Sequence, residues 1–102
     1  MITVKVTYTV KPGFTSINQK NIQAFMSDVR KINDPELRYQ AYLGADRKTF
    51  VHLASYANER AQKELLALES FKYFQQQRDE SGLEGQPEIE TMYLVASSHD
   101  IF

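Results

Sequence analysis

An α+β fold with the element order β-α-β-β-α-β is predicted by three features of the 102-residue chain. Hydrophobic period switches from 2 to 3.6 and back along the chain. A polar glycine turn of hairpin length separates two of the period-2 stretches. Proline and glycine fall where the period changes. This order is the split βαβ, or ferredoxin-like, arrangement: a four-stranded antiparallel sheet with two helical regions on one face.

The first strand is Ile2–Val10. Ile2, Val4, Val6, Tyr8 and Val10 point one way, and Thr3, Lys5, Thr7 and Thr9 the other. Lys11-Pro12-Gly13 ends it, since proline offers no ladder donor and glycine permits the turn. A helix over Ser16–Ile32 follows, with Ser16 as its expected N-cap and Ile22, Phe25, Met26, Val29 and Ile32 along one stripe. Asn33-Asp34-Pro35 stops it, because the residue before proline is pushed out of the α region.

Leu37–Leu43 and Thr49–Tyr56 form a hairpin about the turn Gly44–Lys48. The second of these strands is apolar on both parities, as strands covered on both faces are. Asn58 caps a long helical segment to Arg78. The stripe Ala61, Leu65, Leu68 does not run smoothly into Phe71 and Phe74, so a bend or break is expected near Ser70. A loop with Gly82, Gly85 and Pro87 leads to a last strand over Glu88–Ser97. Ile101 and Phe102 at the end should pack, on their own domain or on a neighbouring subunit.

Composition excludes several classes. One domain over residues 1–102 is long enough for a single core. The absence of cysteine removes disulfides, thiolate metal sites and thiol nucleophiles, and suits the cytoplasm. No basic segment followed by an apolar one opens the chain, so no signal peptide is expected. No apolar run nears the roughly 20 residues a membrane span needs. Twelve basic against thirteen acidic residues give a net charge of -1, and no basic stripe suggests nucleic acid. No His, Cys or carboxylate spacing forms a metal site, and no cofactor motif is present.

Two helices cover one face of a four-stranded sheet. The other face keeps groups such as Tyr42, Val51 and Leu53, or their opposite-parity neighbours. Such a patch exceeds what monomers commonly expose, about 300–600 Å². Pairing of this helix-free face with a second copy by two-fold symmetry is therefore expected, although Thr3, Lys5, Thr7 and Thr9 add a polar strip.

The run Phe50-Val51-His52-Leu53-Ala54-Ser55-Tyr56-Ala57-Asn58-Glu59-Arg60-Ala61, continuing to Leu65 and Ser70-Phe71-Lys72-Tyr73-Phe74, resembles antibiotic biosynthesis monooxygenase-like (ABM) domains. Their signature is an apolar strand ending in an aromatic residue, an acidic-Ala helix start and a Phe-rich helix end. The resemblance implies a dimeric α+β barrel. It further implies a cofactor-independent oxygenase, in which the substrate's own carbanion reacts with dioxygen while the protein supplies desolvation and a base. The haem-degrading members place Asn, Trp and His where Val6, Leu65 and Gln75 stand here, so haem degradation is not expected. Glu64 and Leu65 stand where many members carry a further histidine.

Among the residues themselves, His52 is the one mid-strand imidazole, a candidate general base for a phenolic substrate. A structural histidine, hydrogen-bonded in the core, is its ordinary alternative. Tyr8, Tyr56 and Tyr93, with Leu65 and Phe71, are candidates for holding a small aromatic compound; tyrosines that merely pack the core are the alternative. His99-Asp100 reads as tail, and Glu88 and Glu90 as solvated or paired across the sheet. An RNA-recognition motif shares the element order, but Arg47, Lys48 and Thr49 replace the residues its third-strand signature requires. A non-catalytic regulatory or interaction domain of the same fold is the alternative to an enzyme.

Overall fold

The computed structural model describes residues Met1–Phe102. Strand β1 is Ile2–Thr9, helix α1 Thr15–Ile32, β2 Leu37–Leu43 and β3 Thr49–Tyr56. Helix α2 is Glu59–Leu66, α3 Glu69–Gln77, and β4 Glu88–Met92, with a π-helical turn Arg78–Gly82 between the last two. The sheet runs β2-β3-β1-β4 and every neighbouring pair is antiparallel. The predicted element order and fold class are those observed.

The register decides which parity faces inward. Tyr8 on β1, Leu37 on β2 and Phe50, Ala54 and Tyr56 on β3 are buried beneath the helices. With Ile22 and Phe25 of α1, Ala61 and Leu65 of α2 and Phe71 and Phe74 of α3 they form one core. Tyr42, Val51, Leu53 and Met92 lie on the helix-free face, among Thr3, Lys5, Thr7 and Thr9. Lys5 stands opposite Glu90 there.

Two local expectations are corrected, the start of α1 and the end of the last strand, while the break and the Asn58 cap are as expected. Helix α1 starts one residue early, with Phe14 rather than Ser16 at the N-cap and no side chain capping it. Thr15 Oγ1 donates instead to the Arg47 carbonyl. The Phe14 ring is buried against Gly82, so aromatic burial sets the start of this helix in place of a hydroxyl cap. The expected break lies at Ala67–Leu68, just before Ser70, where Leu68 is extended (ψ 129°). Leu65 and Phe71 are six apart, a spacing that one continuous helix cannot put on one face. Asn58 does cap α2, its side chain accepting from the Ala61 amide.

Strand β4 ends at Met92 instead of Ser97. Met92 pairs with Thr3, so Tyr93 and Leu94 would have only Ile2 and Met1 opposite them. Residues 93–102 form a tail at the helix-free face, with Tyr93 86% and Val95 99% exposed. Ile101 is partly buried there. No helix is long and apolar enough to cross a membrane.

Candidate functional site

His52 sits mid-strand on β3 with its ring turned under the helices, 2% exposed. Its Nε2 lies 2.8 Å from Tyr8 Oη of β1, and its Nδ1 2.6 Å from Tyr39 Oη of β2. Asn18 Nδ2 of α1 donates to Tyr8 Oη at 2.8 Å. Four elements thus contribute to one buried chain, Asn18–Tyr8–His52–Tyr39.

Aromatic rings enclose it. His52 stacks on Phe74, centroids 5.3 Å apart, and on Phe25 at 6.3 Å. Tyr8 stacks on Phe50, and Phe71 meets Phe25 edge-on. The Arg78 guanidinium caps the cage, 5.1 Å from the Tyr8 ring centre and 5.3 Å from that of Phe74.

Burial sets the electrostatics. Loss of water, and secondarily the positive charge of Arg78, push the His52 imidazole down to about 3, so the ring is neutral. Burial drives the Tyr8 and Tyr39 phenols well above their ordinary range and Tyr56 up to about 12. All three stay protonated.

Proton counting then constrains the chain, because a neutral imidazole carries one N–H and accepts at its other nitrogen. With Asn18 Nδ2 donating to Tyr8, the Tyr8 hydroxyl donates to Nε2 and Nδ1–H donates to Tyr39. The Tyr39 proton is then left over, and Asn18 Oδ1 is buried without a partner. Turning the Asn18 amide end for end reverses the chain: Tyr39 donates to Nδ1, Nε2–H to Tyr8, and Tyr8 to the amide oxygen. The two arrangements differ by one imidazole tautomer.

Of the residues singled out in the sequence, His52, Tyr8 and Phe71 come together in this cage. Tyr56 is buried on the same face of β3, four residues on, and Leu65 is fully buried on α2. Tyr93 is not brought to them; it lines a groove of about 350 Å³ between the tail and the helix-free face. Sequence reasoning missed Asn18, Tyr39 and Arg78. Asn18 carried a signal, being in phase with Ile22, Phe25 and Val29 on the buried stripe. Arg78 likewise follows Phe71 and Phe74 at i+7 and i+4.

A second groove, about 530 Å³, opens between α1 and β2 and reaches Tyr39. Neither groove is lined by His52 or Tyr8. No cluster of three His, Cys, Asp or Glu side chains is disposed to hold a metal ion.

The order of elements, the one-sided helix layer and the antiparallel sheet define a ferredoxin-like α+β domain. Its fold is that of antibiotic biosynthesis monooxygenase-like proteins, as solved structures demonstrate. A proposed antibiotic biosynthesis monooxygenase from Bacteroides thetaiotaomicron superposes with a TM-score of 0.80 at 15% identity, over 97% of this chain and 93% of that one. One from Caulobacter crescentus gives 0.76 at 25% identity, over 93% and 90%. A third structure, described as an antibiotic biosynthesis monooxygenase, gives 0.74 at 17% identity, over 94% and 100%. No protein-family model and no curated protein matches the sequence.

Proposed function

We propose that this chain works as a homodimer, paired through its helix-free sheet face, that binds a small aromatic compound and oxidises it with dioxygen without a cofactor. The observation carrying this reading is the phenol–imidazole chain buried in an aromatic cage. Its setting is a fold shared with proteins named as monooxygenases. Apolar packing from Tyr56, Leu65 and Phe71 would keep water from the reacting groups. His52, oriented by Tyr8 and Tyr39, would take the substrate carbon's proton by way of the Tyr39 phenol, which gives its own proton to Nδ1 as it receives one. The resulting carbanion reduces dioxygen: one oxygen atom enters the substrate as a carbonyl, and the other leaves as water with the two hydrogens the carbon has lost. Tyr93 is assigned to the pairing face instead of the ligand. We place the protein in the cytoplasm, which a chain without cysteine suits.

Oxygen uptake with a quinol, an anthrone and a naphthol, with nothing else added, tests the chemistry. Uptake should fall at least about tenfold in His52→Ala, since a positioned base contributes at least that much. Tyr56→Phe keeps the apolar wall and should retain most of it. Light scattering tests the pairing, with twice the single-chain mass expected and the single-chain mass expected for Leu53→Asp.

The filled cage and the neutral His52 favour a second reading, a non-catalytic module that regulates or interacts. Ligand-induced stabilisation without oxygen uptake, or neither response, would select it.

A further inference from the structure

The α1–β2 groove is apolar along its floor, where Met26, Val29, Leu37 and the Tyr39 ring meet, and cationic at its rim, where Arg30 and Arg38 stand exposed. Neither guanidinium is in an ion pair, although Arg38 donates to the Leu37 carbonyl at 3.0 Å and also borders the groove on the helix-free face. Asp34 also lines the groove but is already engaged. It accepts from the Glu36 amide at 2.8 Å and pairs with Arg60 at 3.0 Å, leaving its side chain 8% exposed. The groove therefore presents positive charge over an apolar floor. Tyr39 is its only member that belongs to the buried chain, and its phenol is 2.6 Å from His52 Nδ1.

We propose that the groove is the ligand's binding subsite and selects an aromatic compound carrying an acidic group, a carboxylate or phenolate. The ring lies on Met26, Val29 and Leu37, the anion meets Arg30 and Arg38, and the ring edge abuts Tyr39. The inference rests on the proposed aromatic ligand and adds its charge class and its place. Neutral rings of the same size would gain the floor but not the rim. Charge-assisted bonds from a guanidinium fork are the strong ones at such a site.

Calorimetric titration of the full chain with 1-naphthoate and with 1-naphthol, near neutral pH, separates the two contributions. Naphthoate should bind about tenfold more tightly than naphthol, the gap one charge-assisted bond typically makes. In Arg30→Gln/Arg38→Gln that gap should close while naphthol affinity is unchanged; both side chains are exposed, so folding is not at stake. Chemical shifts on naphthoate binding should concentrate at Met26, Val29 and Tyr39. Equal affinities in the wild type, an undiminished gap in the double variant, or shifts confined to Leu53 and Tyr93 would overturn the assignment. Oxygen uptake on naphthol that saturating naphthoate does not inhibit would overturn the groove and leave the oxygenase standing. Naphthoate bound as expected without uptake on any substrate would do the reverse.

Discussion

Lowering pH from about 7 to about 5 should destabilise this protein through one side chain. His52 has an ordinary value of 6.5 when unfolded and about 3 when folded, first because burial penalises the imidazolium and then because Arg78 repels it. The unfolded chain therefore takes up a proton between those values and the folded chain does not, so stability is full above about 6.5 and falls as pH drops toward about 3. At about pH 5 the unfolded imidazole is roughly 97% charged, and integrating from about pH 7 gives a loss of about 2 kcal/mol. That figure holds for any folded value well below 5. Asp34, held low by the Glu36 amide and Arg60, and Asp46, held to about 2 by Thr49 and two backbone amides, lose their contributions only further down. Urea unfolding at fixed protein concentration measures the effect. With a slope of about 1–2 kcal/mol/M for a chain this size, the midpoint should drop by roughly 1–2 M. His52→Gln, which keeps a donor and an acceptor but does not titrate, should flatten the dependence across this window. A wild-type midpoint unchanged over the interval, or an equal drop in His52→Gln, would refute a neutral, enclosed imidazole.

Other outcomes follow from the same geometry. Gly82→Ala would drive a methyl into the Phe14 ring, and urea melts should show a loss of about 1–3 kcal/mol, partly recovered by Phe14→Leu. Asn58→Ala removes the α2 cap and should cost about 1 kcal/mol by thermal melt, with Asn58→Ser recovering most of it. Tyr8→Phe alone strands His52 Nε2 and Asn18 and should cost about 1–3 kcal/mol. The combined Tyr8→Phe/His52→Leu/Tyr39→Phe variant should lie closer to wild type than the sum of its single changes, because of the four members of the chain only Asn18 is left unpaired.

The fold was legible because each element carried its own period. The alternation in Ile2–Val10, the stripe from Ile22 to Ile32 and the six-residue gap between Leu65 and Phe71 are local facts, and local facts survive without coordinates. The end of β4 was not legible. Tyr93, Leu94 and Val95 suit a strand, yet pairing depends on how far β1 extends beside them, which is a tertiary quantity. His52 stood out as a lone mid-strand imidazole. Its partner Tyr39 did not, since β3 is apolar on both parities and nothing in the sequence says which parity meets the helices. Once the register is fixed, Tyr39 and His52 share a face and Asn18 falls above them.

The position of that polar chain bears on how the sheet finds its register. A one-residue slip of β3 would turn Phe50, Ala54 and Tyr56 outward, and burial alone rejects it. A two-residue slip keeps every parity intact, so apolar burial discriminates against it only weakly. Placing Ala54 opposite Val6, where His52 now stands, sets the imidazole directly opposite Tyr8 but carries it two residues farther from Tyr39; the opposite slip does the reverse. The phenol left dry and unpaired costs roughly 1–3 kcal/mol, and the displaced imidazole costs a similar amount. Those penalties are a large share of the whole stability of a small domain, about 5–15 kcal/mol. Three hydrogen bonds that add little net stability to the native pairing thus discriminate strongly against its nearest rival. Tyr8, His52 and Tyr39 belong to the three adjacent strands β1, β3 and β2, so one chain fixes both central registers at once.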